Sequence, residues 1–258
     1  MRNKGLGGEK TVGEVSVQMT VDACAKINWT LHVLGMRPDG YHDLRSIVLP
    51  VPSLRDTVTL EAARGISCQM EGLDVPEERN LAFRAACALR EATGCAGGVR
   101  LSIVKRIPAG AGLGGGSADA AAVLNGLNRL WRLGLTEGEL MQIGARVGSD
   151  VPALVLGGPV LMEGRGERVR RLLPADDADG DPLPAPDALE VFTPPISAST
   201  AAVYREFRMA DRGHFRNDLQ PAAIRLYPGI AEAIRNLERK GLRRVTMSGS
   251  GSTVYGVR

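Results

Sequence analysis

Aromatic side chains are scarce in this chain of 258 residues: four Phe, four Tyr and two Trp, with only three His beside them. The core must therefore be largely aliphatic, and each Tyr or His near a turn carries more information than usual. Four cysteines, Cys24, Cys68, Cys87 and Cys95, form no C-x-x-C pair and are too sparse for a disulfide framework at this length, so free thiols in a cytoplasmic protein are expected. No apolar run reaches the roughly 18–20 residues of a membrane span, and MRNKGLGGEKTVGE at the N-terminus lacks the apolar stretch of a secretory signal. An excess of one charge is also missing. Lys and Arg number 32 against 29 Asp and Glu, and the basic residues are scattered, which argues against nucleic acid as a partner. No His/Cys cluster has metal-ligand spacing, so a dedicated zinc or iron site is not expected.

What is present is an ordinary apolar share of 44%, enough to bury a sizeable core, and 32 glycines crowded into short clusters. The length fits one large domain or two of ordinary size, and two are expected. Residues 1–14 read as a polar extension. Val15–Ala25 alternates as a half-buried strand, Trp29–Leu34 follows as a second, and Ala25-Lys26-Ile27-Asn28 lies between them. After the turn Arg37-Pro38-Asp39-Gly40 come Tyr41, His42 and two further strands, Ile47–Val51 and Thr57–Glu61.

Helical spacing marks Asn80–Ala92, with Asn80 as N-cap and Gly94 as stop, and Val99–Ile107 reads as a strand. Thr136 and Glu139 form a capping box opening a helix to about Val147, ended by Gly148. Gly148-Ser149-Asp150-Val151-Pro152 leads into a short apolar segment, and Val160–Arg170 reads as strand and turn. Residues 174–188, with five Asp and four Pro, read as a linker between domains at 15–173 and 189–258. Beyond it, strands are expected at Leu189–Thr193, Val245–Met247 and Thr253–Val257, and helices at Ser199–Arg208, Asn217–Leu226 and Gly229–Lys240.

The segment between the Val99 strand and the alanine-rich helix reads Pro108-Ala109-Gly110-Ala111-Gly112-Leu113-Gly114-Gly115-Gly116-Ser117, with Ala118 opening the helix. Gly110, Gly112 and Gly115 satisfy G-x-G-x-x-G, but the dinucleotide fold wants an acid at the end of a second strand about 20 residues on, where this chain begins a helix. A Walker loop fails because no G-x-x-x-x-G-K-[ST] occurs. What remains is shared physics: glycines let backbone N–H groups turn inward together, and the helix adds its unpaired N–H groups and positive dipole end, which suits a polyphosphate. Ser117 at the junction could cap the helix or offer its hydroxyl to phosphate or Mg²⁺. A plain glycine turn without a ligand is the bland alternative.

PAGAGLGGGSADAA resembles the ATP-binding motif of the GHMP kinases. Together with AKINWTLHVLGMRPDGYHDLRSI, GSDVPALVLGG and MSGSGST, in this order from about Ala23 to the end, it resembles the branch that phosphorylates a cytidine-diphosphate-linked polyol of isoprenoid precursor synthesis. The resemblance implies an α+β, two-domain GHMP kinase fold, S5-like then ferredoxin-like, using ATP and Mg²⁺, the metal arriving with the nucleotide. It implies Lys26 and Asp150 as the catalytic pair: Asp150 takes or orients the acceptor proton, and Lys26 steadies that carboxylate and the phosphoryl oxygens. It implies Pro108–Ala118 as the nucleotide loop, Tyr41 stacked on the cytosine, His42 on its edge and Asn28 near the acceptor.

Without the resemblance, Lys26 reads as a surface charge, Asp150 as a turn or cap residue, Tyr41 as core and His42 as surface. A second aromatic over the base is expected to be Tyr204, with Phe192 as competitor. Another GHMP kinase acting on a different small alcohol, or a non-catalytic binding homologue, are the rival functions. Asp-Gly-Tyr-His argues against the first and retention of Lys26 and Asp150 against the second. Family members usually continue beyond the MSGSGST segment, so an unfinished second domain with an exposed sheet edge is expected at Val257-Arg258.

Overall fold

The structure is a computed structural model that describes residues 17–173 and 183–258. The polar stretch 1–14 and residues 174–182 of the expected linker lie outside the described residues.

A seven-stranded sheet organises residues 17–173. Its strands are β1 (Gln18–Asn28), β2 (His32–Met36), β3 (His42–Ala63), β4 (Ile66–Glu71), β5 (Gly98–Val104), β6 (Val160–Gly164) and β7 (Arg168–Arg171). The order is β4-β5-β3-β6-β7, with β1 and β2 also paired to β3, and only the β4–β5 pair is parallel. β3 is the spine.

β3 corrects the reading of two separate strands. It is continuous over 22 residues and runs through Pro50 and Pro52. The pairing explains how Pro52 is tolerated: Cys24 faces Arg55 while the next residue, Ala25, faces Val51, so Pro52, Ser53 and Leu54 bulge out of the ladder. A residue without an N–H is accommodated where the ladder is interrupted. Ala25-Lys26-Ile27-Asn28, expected between strands, is the last part of β1 for the same reason. β4 has only Ile66, Cys68 and Met70 to mark it and was not legible as a strand.

Four helices cover the sheet: α1 (Leu81–Thr93), α2 (Gly115–Leu130), α3 (Glu137–Val147) and α4 (Val151–Leu156). The Asn80 side chain accepts from the Ala82 N–H at 2.9 Å and Gly94 ends α1 at φ 65°, as read from sequence. α2 is central and buries nine residues, most of them alanine and leucine, which lets it lie close to both sheet and helices. The Thr136–Glu139 capping box opens α3. Thr136→Ala is expected to cost about 1 kcal/mol in urea denaturation while leaving catalysis unchanged, because the residue is exposed and its hydroxyl serves the helix end.

The remaining chain forms a three-stranded antiparallel sheet of β8 (Leu189–Phe192), β9 (Arg243–Met247) and β10 (Val254–Val257), in the order β8-β10-β9. Three helices accompany it: α5 (Thr200–Glu206), α6 (Gln220–Leu226) and α7 (Gly229–Arg239). Ile230, Ala233, Ile234 and Leu237 form the apolar stripe of α7 at helical spacing. They share a core with Leu219, Met247 and Val254, and with Leu31, Val33 and Leu44 from the β2 region.

The two sheets are fastened together through β1 and β2. The fully buried Tyr255 hydroxyl donates toward the Asn28 and Trp29 carbonyls, at 2.9 and 3.1 Å. Leu31 N–H donates to the Arg216 carbonyl, and Asp218 N–H returns to the Leu31 carbonyl. The residues just after Lys26 are thereby fixed against the C-terminal part of the chain.

Candidate active site

A cleft of about 1250 Å³ opens between the two parts. Its inner wall is the segment joining β5 to α2. The helix begins at Gly115, three residues earlier than the sequence suggests, with Gly114 as N-cap at φ 69°. Glycine has a low helix propensity, but backbone N–H groups at a helix start need no intrahelical partner, and packing decides the boundary. No side chain caps α2, so the N–H groups of its first turn face the cleft together with the positive dipole end. Ser117 lies inside that turn and lines the cleft; it does not cap the helix.

Two glycines explain the loop's shape. Gly112 has φ 77°, and a Cβ there would fall 2.2 Å from the Ser248 carbonyl oxygen. Gly114 brings the backbone so close to Lys26 that a Cβ would lie 3.0 Å from its Cγ and Cε. Further bonds hold the loop: Lys26 N–H donates to the Leu113 carbonyl, Thr253 N–H to the Ala111 carbonyl, and the Ser248 hydroxyl to the Gly112 carbonyl at 2.9 Å. The late Ser248–Ser252 segment is thus a brace for the glycine loop.

Lys26 projects from β1 into this corner, with a side chain only 5% exposed. Its ammonium donates to Asn28 Oδ1 at 2.7 Å and to the Gly112 carbonyl at 3.1 Å, and pairs with Asp150 Oδ2 at 3.1 Å. A buried ammonium needs such a set of acceptors. Asn28 is oriented by its own amide, which donates to the Ser46 hydroxyl at 2.8 Å and so turns Oδ1 to Lys26. Asp150 stands at the N-cap position of α4 but caps nothing. Its carboxylate instead faces Lys26 and remains open to the cleft.

The outer wall carries the aromatics. The turn at Gly40 has φ 81°, and Tyr41 beyond it is largely exposed, with the Arg165 guanidinium 5.0 Å from its ring centre. His42 packs against Tyr204 at 5.2 Å and edge-on to Phe207 at 5.8 Å. Burial, with a further contribution from the Asp150 charge, pushes the Tyr204 hydroxyl up from its ordinary value. Phe192, the competitor of Tyr204, sits on β8 opposite Val254 and is absent from the cleft lining.

Lys26, Asn28, Tyr41, His42, Asp150 and Tyr204 therefore line one cleft with Pro108–Gly112 and Gly114–Ser117. Leu113 and Ala118 depart from the expectation: their side chains are buried in the core beneath the loop. Sequence reading missed Lys105, Asp119 and Arg165, which also line the cleft. Asp119 left a signal, being the one charge inside an alanine run; Arg165 lies in Glu163-Gly164-Arg165-Gly166-Glu167, which resembles family text without pointing to a role, and Lys105 left none.

Comparisons with known proteins agree with this geometry. The GHMP kinases N terminal domain matches residues 80–158, and GHMP kinases C terminal matches 203–257. The chain is 40% identical to a 4-diphosphocytidyl-2-C-methyl-D-erythritol kinase of Pelotomaculum thermopropionicum, over 93% of this chain and 88% of that one. It is 42% identical to one of Moorella thermoacetica, over 93% and 90%. Among solved structures, a 4-(cytidine 5'-diphospho)-2C-methyl-D-erythritol kinase superposes with a TM-score of 0.76 at 37% identity, covering 93% of this chain and 90% of that one. Homoserine kinase from Cytophaga hutchinsonii shares the fold at a TM-score of 0.70 and 17% identity, covering 99% and 88%.

Proposed function

The chain belongs to the 4-diphosphocytidyl-2-C-methyl-D-erythritol kinase family of the GHMP kinases, and from this membership we propose that it transfers the γ-phosphoryl group of ATP to the 2-hydroxyl of that cytidyl substrate. The product is a phosphomonoester on the path to isoprenoid precursors. Such a reaction suits a cytoplasmic enzyme, and among the described residues no helix is long and apolar enough to cross a membrane. The reading includes a division into two domains at the stretch 174–188, one around each sheet.

The observation that carries the proposal is the position of the Lys26–Asp150 pair. It lies against Gly114, between the open N-terminus of α2 and the Tyr41–His42–Tyr204 wall. Phosphoryl transfer asks for alignment and charge stabilisation more than covalent chemistry. The first-turn N–H groups of α2 hold the phosphates, and Asp150 accepts or orients the proton of the acceptor hydroxyl. Lys26, itself held by Asn28 and the Gly112 carbonyl, directs positive charge at the oxygens of the moving group. Tyr41 and Tyr204 offer faces for the cytosine, and His42 and Asn28 offer polar contacts to the substrate.

Among the described residues no group of three His, Cys, Asp or Glu could hold a metal by itself. Mg²⁺ would be held by phosphate oxygens and water, with the Ser117 hydroxyl as a protein oxygen beside the cradle, and would neutralise the β- and γ-phosphate charge.

Phosphorus NMR of the product tests the assignment: a new phosphomonoester on the 2-hydroxyl, with the cytidine diphosphate linkage intact, is expected. A phosphate on any other atom overturns it. Tyr41→Ala is expected to raise KM for the cytidyl substrate about tenfold with kcat nearly unchanged, because base stacking of this kind is uniform binding. A fall in kcat at constant KM would show that Tyr41 does something else.

A further inference from the structure

A chain of buried polar groups runs behind the Lys26–Asp150 pair and ends at a residue that the cleft does not reach. Lys26 and Asn28 stand two apart on β1, so both side chains leave the same face of the strand. The Asn28 amide contacts the Ser46 hydroxyl on β3, and Ser46 in turn contacts the Thr30 carbonyl. Ser46, Asn28 and Thr30 are 0%, 2% and 4% exposed. Lys26 and Asn28 belong to the cleft lining and Ser46 does not. Any effect of Ser46 on a bound molecule must therefore pass through its neighbours.

The direction of each bond follows from the donors at hand. A carbonyl oxygen only accepts, so the single Ser46 hydroxyl proton is committed to Thr30. The Ser46 oxygen is left as an acceptor, and the group facing it at 2.8 Å must be the NH2 of Asn28. Asn28 Oδ1 then points the other way, to the Lys26 ammonium at 2.7 Å. A reversed amide would set NH2 against ammonium, donor against donor, where burial keeps water from repairing the loss. Thr30 is held in turn: its Oγ1 accepts from the Ile47 N–H at 3.1 Å, and Trp29 N–H donates to the Ile47 carbonyl at 2.7 Å. The carbonyl that commits Ser46 is thus tied to the residue next to Ser46.

We propose that Ser46 is a positioning residue for phosphoryl transfer: by fixing which end of the Asn28 amide faces Lys26, it sets where the ammonium stands between the glycine loop and Asp150. The proposal rests on the role given to Lys26 above. The three ammonium protons have three acceptors, Asn28 Oδ1, the Gly112 carbonyl and Asp150 Oδ2. Gly112 belongs to the glycine loop, and the Asp150 side chain is 30% exposed toward the cleft. Asn28 is the fixed point of the set, standing on the same strand as Lys26 and making the shortest of the three contacts. Without Ser46 nothing in the chain of bonds tells the two ends of its amide apart, and the ammonium loses its fixed acceptor for part of the time.

The test uses the whole protein with ATP, Mg²⁺ and the cytidyl substrate. Ser46→Ala is expected to lower kcat roughly 30-fold, within the roughly 10²-fold that an ångström of misplacement can cost, with KM for ATP unchanged. In an Asn28→Ala background, where no amide is left to orient, the same substitution should change kcat by less than about twofold. A serine that merely supports the fold would lower kcat equally in both backgrounds. That result overturns the proposal, as does a Ser46→Ala kcat within about threefold of wild type. NMR of the wild type reads the orientation without any Ser46 variant. The Asn28 NH2 protons, assigned by their loss in Asn28→Ala, should show Overhauser contacts to the Ser46 Hβ protons. Contacts to the Lys26 Hε protons in their place overturn the proposal whether or not Ser46→Ala folds. Absence of phosphoryl transfer by the wild type overturns the functional reading and this inference with it, whereas equal effects in the two backgrounds leave that reading standing.

Discussion

Asp150→Asn is expected, on the role proposed for it, to lower kcat by about 10³-fold, with KM for ATP close to the wild-type value. The amide keeps the size of the carboxylate but loses its charge and its ability to accept the acceptor proton, the part of catalysis that a positioned acid–base group commonly supplies. The proposed nucleotide end is built from the glycine loop and α2, which Asp150 does not hold, so ATP binding should be spared. Folding is spared too, because the carboxylate caps no helix and the Lys26 ammonium retains Asn28 and the Gly112 carbonyl. Single-turnover kinetics with saturating substrates isolates the chemical step. A variant within threefold of wild type would remove Asp150 from the mechanism.

Gly112→Ala gives the second large effect, through geometry instead of charge. The added Cβ would stand 2.2 Å from the Ser248 carbonyl oxygen, a backbone atom, at a φ of 77°. The left-handed conformation alone costs an alanine roughly 1–2 kcal/mol, and the clash adds to it by forcing the glycine loop and the Ser248 segment apart. Since the Gly112 carbonyl accepts from both Lys26 and Ser248, separation displaces the Lys26 ammonium as well. A displacement of an ångström at such a site can lower the rate by about 10²-fold, so kcat/KM should fall by at least that much. Thermal denaturation should show a lower Tm. Gly110→Ala is the matched control: its φ is 66°, but the nearest atom to a Cβ is the Ser197 hydroxyl oxygen at 3.7 Å. It pays the backbone cost without the clash. Equal effects of the two substitutions would show that the brace between loop and Ser248 is unimportant.

The contrast between these residues also shows which parts of the molecule were legible in its sequence. Helices α1 and α3 were, because their stop and start signals are local: Asn80 and Gly94, Thr136 and Glu139. The continuity of β3 was not, since two prolines argue against a strand unless the partner's register is known. The start of α2 was placed too late because Gly115 and Gly116 resemble a loop, and their packing against Ile107 and Leu81 became visible only in the fold.

For the site itself, residue chemistry alone gave Lys26 and Asp150 the reading of a surface charge and a cap. Their pairing across 124 positions of sequence came from motif resemblance, and the structure supplied the 3.1 Å separation. Of the competitors Tyr204 and Phe192, the fold puts the first in the cleft wall and the second on an outer strand, a placement that local sequence does not encode. The ion pairs of Lys105 with Asp56 and Asp119 were invisible for the same reason: the partners lie 49 and 14 residues away, and nothing in their spacing announces contact.

The central claim is that one cleft joins a polyphosphate cradle to a base-recognising wall across the Lys26–Asp150 pair. It is tested most directly by ADP release from ATP and Mg²⁺ in the presence of 4-diphosphocytidyl-2-C-methyl-D-erythritol, set beside the same polyol phosphate lacking the cytidyl group. The account predicts ADP stoichiometric with the cytidyl acceptor and little above background with the truncated one. Equal ADP release with both acceptors, or release independent of either, would contradict it.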